Sequence, residues 1–126
     1  MQASFKLAVA LLVGATAGIL AVQGLHAQAK PVAYTIAEIE IIDQDAFKDF
    51  SSKAGPVIQA ASGKFLARGG QVTAVEGDAP KRIVLITFEN VDKALAWQSS
   101  AAWKELLPLR SKGQKARTYI VEGVAN

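Results

Sequence analysis

Residues 63–77 read GKFLARGGQVTAVEG. The stretch predicts a strand, a glycine break and a second short strand. Side chains alternate along a strand, so Phe65 and Ala67 are expected on one face and Leu66 and Arg68 on the other. Gly69 and Gly70 end or bulge that strand, because paired glycines permit backbone angles that other residues resist. Arg68 therefore stands beside uncovered backbone. A guanidinium in that position can hold a carboxylate or enolate oxygen through a bidentate fork. The plainer alternative is an ion pair with Glu76 or Glu38 that locks the sheet.

Upstream, residues 33–42 (AYTIAEIEII) alternate as a strand. Tyr34, Ile36, Glu38 and Glu40 share one face; Thr35, Ala37, Ile39 and Ile41 share the other, which should meet helices. Asp43 is an expected N-cap, with Asp45 in the first turn. Phe47, Phe50, Ala54, Val57, Ile58 and Ala61 recur at spacings of three and four, as an amphipathic helix does. Pro56 removes a backbone donor and is expected to kink or divide that helix. Gly63 is its expected C-cap.

Downstream, Gly77 to Lys81 is a turn. RIVLITF, residues 82–88, is the most strand-like run and predicts a central strand covered on both faces. Asn90 caps a helix from Val91 to about Ser99, with Val91, Ala94 and Leu95 inward. Ser99-Ser100 breaks it. Ala101 to Lys112 forms another helix with Trp103, Leu106 and Leu107 on one side, disturbed at Pro108 and ended by Gly113. Residues 116–124 are the last strand. Strand, helix, strand, strand, helix, strand is the ferredoxin-like order, an α+β βαββαβ sandwich with helices over one sheet face. The other face is expected to carry Tyr34, Glu38 and Arg82 among Ile36 and Val84. A face that apolar calls for cover, and a second copy of the chain supplies it.

Of the 126 residues, 1–29 are expected to be a signal peptide. Lys6 precedes an uncharged run of 16, Leu7–Val22, and Ala27-Gln28-Ala29 offers small residues at a cleavage site. At about 1.5 Å per residue, that run spans roughly 24 Å, short of the ~30 Å of a bilayer's hydrocarbon. A cleaved leader rather than a stable membrane anchor follows, and with it a periplasmic or secreted protein. Cleavage near Ala29 leaves a single domain of 97 residues with 13 Lys and Arg against 11 acids. His26, the lone histidine, leaves too, and the chain holds no cysteine. Thiolate nucleophiles, Ser-His-Asp relays and disulfides are then excluded, and neither a metal nor a cofactor is expected. Gly-rich phosphate loops are absent. The small positive net charge of an exported chain argues against nucleic-acid binding.

Taken together, GKFLARGG after a helix containing Gly55-Pro56, then Glu76-Gly77-Asp78, then a strand from Arg82 to Phe88, resembles the domain of unknown function 1330 family. The resemblance spans about Ala33 to Gly123. It implies a dimeric α+β barrel, in which two ferredoxin-like sheets face each other around a cavity, and implies no established activity. The family's pattern falls on Tyr34, Gly55, Pro56, Gly63, Phe65, Arg68, Gly69, Gly70, Glu76, Gly77, Arg82, Phe88, Ser99 and Arg110. Where members commonly carry Ser, Pro, Glu, Tyr, this chain has Ser100-Ala101-Ala102-Trp103.

Candidate ligand-binding residues are thus Tyr34, Glu38, Phe65, Arg68, Gly69, Gly70, Arg82 and Arg110. Glu38 and Arg68 are the candidates for catalysis. Trp97 and Trp103, six apart, do not share an ideal helical face and are expected in core or interface packing. Lys104, Arg110, Lys112, Lys115 and Arg117 form a basic run, expected as a solvated face. Two functions follow. One is a homodimer that binds a small, partly apolar anion in its barrel. The other is a cofactor-independent monooxygenase, isomerase or decarboxylase with Glu38 as base and Arg68 holding an oxyanion. A third, docking of a partner on the basic run, has less support.

Overall fold

The structure, a computed structural model, describes residues 30–125; the predicted leader, residues 1–29, lies outside them. β1 (Ala33–Ile41) and β3 (Arg82–Phe88) pair antiparallel at the centre of one sheet. β2 (Lys64–Arg68) flanks β3, and β4 (Gln114–Glu122) flanks β1, giving the order β2-β3-β1-β4. α1 (Gln44–Ala60) follows β1, and α2 (Val91–Ser99) and α3 (Ala101–Gly113) follow β3. This is the expected ferredoxin-like α+β sandwich, its second helix broken in two at Ser100.

Strand register assigns the faces. Thr35 pairs with Ile86, Ala37 with Val84, and Ile39 with Arg82. Side chains opposite one another share a face, so Arg82 and Val84 point to the helices. Both were expected on the other side. Ile83 and Leu85 take that outward face instead, with Tyr34, Ile36 and Glu38, and with Arg117, Tyr119 and Val121 of β4. The phase of β3 follows from its register with β1. A continuous apolar run carries no alternation from which to choose a face.

β2 departs from alternation as well. Phe65 pairs with Ile86 and Ala67 with Leu85, so Leu66 is the extra residue of a bulge. One inserted residue reverses the side-chain phase beyond it. Arg68, opposite Val84, therefore shares the helix-facing side with Phe65 rather than lying across the strand from it. No second short strand follows. Residues 69–81 form an exposed loop from Gly69 (φ +76°) to Lys81.

Asp43 caps α1 as expected, its Oδ1 accepting from the Ala46 amide at 2.9 Å. Pro56 does not divide the helix, which runs unbroken from Gln44 to Ala60. Pro56 and Ser52, whose carbonyl lacks the usual donor, are both exposed. Water can satisfy that carbonyl. Pro108 sits in the same way on the exposed side of α3. The left-handed residue ending α1 is Ser62 (φ +68°), not Gly63. The Gly63 amide donates to Ile58 O and the Ser62 amide to Gln59 O, the paired closure of a Schellman turn. Gly63 serves packing: a Cβ there would lie 2.8 Å from both Ile58 and Phe88 side-chain atoms.

The core lies between α1, α2, α3 and the sheet. Phe50, Ala54, Ile58, Ile86, Phe88, Ala94, Trp97 and Trp103 are all buried. Leu95 is exposed and Trp97 takes the inward position expected of it. The break at Ser100 brings the two indoles together. Its hydroxyl donates to Trp97 O at 2.7 Å, ending α2, and accepts from the Trp103 amide at 3.3 Å, starting α3. The ring centroids of Trp97 and Trp103 are then 4.6 Å apart, which one continuous helix would not allow. Trp97 also stacks on Phe88 at 5.3 Å, and Trp103 meets Phe50 edge-on at 5.7 Å.

Candidate functional site

Small residues leave space between the sheet and α1. Ala37 and Val84 form a floor, Ser51 and Ala54 part of a roof, and the two tryptophans and Phe50 a wall. The resulting cavity is partly open. Its volume is about 60 Å³, counted as room for the centre of a water-sized sphere. One water needs only ~10–15 Å³ on that measure.

Three arginines are among the residues lining this apolar space: Arg68, Arg82 and Arg110. No aspartate or glutamate lines it, and none of the three is ion-paired among the described residues. Arg68 Nη2 donates to Ser51 O at 2.7 Å and Ser51 Oγ at 3.1 Å, and its plane lies over the Phe65 ring at 4.3 Å. It therefore meets neither Glu76 nor Glu38, the partners considered from sequence. The Arg82 guanidinium lies 4.8 Å above the Phe47 ring. Arg110 Nη2 donates to Thr118 Oγ1 at 3.1 Å, and burial pushes the Arg110 pKa down. Such stacking on aromatic faces holds a guanidinium in place without neutralising it.

Two glycines make room for these groups. A Cβ on Gly55 would come within 3.1 Å of Arg68 Nη1, and one on Gly69 would collide with the Arg82 guanidinium. Gly69 also has positive φ. Gly70 faces open space.

Among the described residues, four buried side-chain polar atoms have no hydrogen-bond partner: Thr35 Oγ1, Arg82 Nε, Trp97 Nε1 and Gln114 Oε1. All four residues line this cavity. An unsatisfied buried polar group costs about 1–3 kcal/mol, so their convergence on one space is informative. Thr35, Trp97 and Gln114 were not singled out from sequence. A threonine in an alternating strand, a tryptophan in a helix and a glutamine after a glycine carry no signal until packing brings the residues to one cavity.

Tyr34 and Glu38 lie on the opposite side of the sheet. Glu38 accepts from Arg117 Nη2 at 3.0 and 2.9 Å and from the Tyr119 hydroxyl at 2.9 Å. The Tyr119 bond, then the Arg117 bonds, hold its carboxyl below the usual carboxylate range. Glu38 is thus a weakened base, and it does not meet Arg68 within one chain. The basic run is dispersed too: Arg110 enters the cavity, Arg117 pairs with Glu38, and Lys104 and Lys112 are exposed on α3.

A family described as "Domain of unknown function (DUF1330)" matches residues 32–124. No curated protein sequence matches the chain significantly. Among solved structures, the chain is similar to a protein of unknown function from Rhodopseudomonas palustris, at TM-score 0.64 and 11% identity, covering 75% of this chain and 84% of that one. It is similar to SnoaB, a cofactor-independent oxygenase from Streptomyces nogalater, at TM-score 0.55 and 8% identity, covering 76% and 96%. A protein of unknown function with a ferredoxin-like fold from Bacteroides fragilis, described as dimeric, matches at TM-score 0.52 and 10% identity, covering 73% and 96%. At these identities the likeness is one of fold.

Proposed function

Because the chain belongs to the DUF1330 family, whose description assigns no reaction, we propose a function from the cavity itself: it binds a small, partly apolar anion between the sheet and the helices. One observation carries this reading. Arg68, Arg82 and Arg110 are among the residues lining the cavity and no aspartate or glutamate is. Arg68 is exposed and Arg82 and Arg110 are half-buried, so an anion at the open side of the cavity can meet charge that no carboxylate lining it neutralises. The apolar wall of Phe50, Trp97 and Trp103 suits its body. On this reading the ligand lies between the sheet and the helices of each chain rather than in a barrel between two sheets.

Thermal-shift and calorimetric titration with aromatic carboxylates, keto acids and quinones tests the reading. A carboxylate at about 100 times its Kd adds roughly 2.7 kcal/mol of stability, and Arg82→Met should remove that shift. Failure of every carboxylate to stabilise a folded protein would overturn it. Oxygen-uptake and product assays on any ligand found separate binding from turnover. The enzymatic alternative built on Glu38 and Arg68 loses its geometry, since the sheet stands between them.

The outward face supports a homodimer. Ile36, Ile83, Leu85, Tyr119 and Val121 leave it apolar, with Tyr119 and Val121 nearly half exposed. A second copy covers such a face with its own, and the Bacteroides fragilis neighbour is described as dimeric. Sedimentation as one subunit at micromolar concentration would overturn the dimer. It would spare the cavity, which a single chain builds. Export by a leader cleaved near Ala29 completes the proposal; an unprocessed mass of the exported protein would contradict it.

A further inference from the structure

Ala37 and Val84 pair across β1 and β3 on the helix-facing side of the sheet, yet neither is fully buried. The cavity above them is the reason. Its lining turns almost wholly carbon toward the space. The unpartnered atoms of Thr35, Arg82, Trp97 and Gln114 are themselves covered. A charged or hydroxylated group gains no partner there and gives up its water. An alkyl group gives up nothing, because a space so lined stays dry.

Size narrows the occupant further. At ~10–15 Å³ for each water-sized group, a volume of about 60 Å³ holds about four to six of them, and a methylene is no smaller than a water. An engineered cavity of ~150 Å³ admits benzene. This one has less than half that volume, so a ring is too large.

The charge stays outside. Arg68 lines the cavity and is exposed, so it stands at the open side. Its Nη2 is held by Ser51 and its plane by the Phe65 ring, both of them lining residues. Among the described residues, its Nε and Nη1 have no acceptor. A guanidinium fixed at a mouth with donors to spare can hold a carboxylate there. Arg82 and Arg110 line the same cavity and add to its positive charge.

We infer that the ligand is a short aliphatic monocarboxylate. Its tail of about four carbons fills the cavity, and its carboxylate stays at the mouth on Arg68. This rests on the anion-binding reading above and specifies the class of anion.

The test is calorimetric titration of the wild-type protein with acetate, valerate, octanoate, benzoate and uncharged valeramide. Ionic strength is held constant, since charge alone raises apparent affinity at low salt. Each buried methylene is worth roughly fourfold in affinity, so valerate should bind at least about tenfold more tightly than acetate. Octanoate and benzoate outgrow the space and should bind more weakly than valerate. Valeramide, of the same size but without charge, should bind at least about tenfold more weakly. Ala37→Leu, which fills the cavity floor, should bring valerate down to the affinity of acetate. Arg68→Met should bring it down to that of valeramide. Circular dichroism confirms that the variants fold; if they do not, the wild-type ligand series decides alone. Acetate, octanoate or benzoate binding as tightly as valerate, or a valerate-to-acetate ratio untouched by Ala37→Leu, would overturn the short tail and leave the anion reading standing. A valerate-to-valeramide ratio untouched by Arg68→Met would overturn the seat on Arg68. Valeramide binding as tightly as valerate, or failure of every carboxylate to bind, would overturn the anion reading itself.

Discussion

The two faces of one sheet handle charge in opposite ways. On the outward face, Glu38 collects the Arg117 guanidinium and the Tyr119 hydroxyl, so acid and base answer each other within the chain. On the helix-facing side, Arg68, Arg82 and Arg110 surround an apolar cavity with no acid among its lining residues. The outward network is complete within the chain, whereas the inward arginines meet no carboxylate among the described residues. Arginines without a carboxylate beside an apolar cavity single out that side of the sheet better than the mere presence of charged residues does.

Several substitutions strain this contrast. The largest effect is expected at Phe88, buried and stacked on Trp97. Phe88→Ala should cost about 3–5 kcal/mol in urea unfolding, while Leu85→Ala on the outward face should cost less than about 2 kcal/mol in a single chain. If a second copy covers the outward face, the Leu85 cost grows as protein concentration rises. Equal costs at every concentration would remove the asymmetry.

Next come two glycines of matching backbone, Gly69 (φ +76°) and Gly77 (φ +70°). Alanine at either should cost about 1–2 kcal/mol for the left-handed conformation. Gly69→Ala also displaces Arg82, while nothing lies within 4 Å of a Cβ at Gly77. Carboxylate affinity should therefore fall in the first variant and hold in the second. Equal affinities would show that Gly69 does not place Arg82.

Arg82→Met sets the faces against each other by sign. In ligand-free protein it removes a buried donor without a partner and should raise stability by roughly 1 kcal/mol. Arg117→Met, which breaks an exposed but satisfied pair, should lower stability slightly. A loss on both faces would mean that Arg82 serves the fold rather than a ligand.

The smallest effect is the pH response of the Glu38 network. Its folded pKa is depressed, so its contribution is whole above the ordinary value of 4.5 and is lost as pH falls through the lowered one. Tyr119 is raised above 10.0 by its bond to Glu38, so its share is present below that value and lost as pH rises through the higher one. Glu38→Gln should flatten the acid limb of a melting-temperature profile. An unchanged acid limb would show the network to be without weight.

Hydrophobic period and turn chemistry were enough to read the order of elements, the Asp43 and Asn90 caps and the inward face of β1, because each depends on residues a few positions apart. The same local signals singled out Phe65, Arg68, Arg82 and Arg110. They could not place them. Arg68 turns inward because Leu66 bulges out of a ladder that only the pairing with β3 defines. Arg82 takes its face from its register with Ile39, forty-three positions away in the chain. Thr35, Trp97 and Gln114 join the cavity only where three elements converge. Local sequence sets which segments extend or coil, since backbone preference and spacing act over a few residues. Which side chains meet across the sheet, and which charges are left unanswered there, was decided by long-range register and packing, which no window of the chain contains.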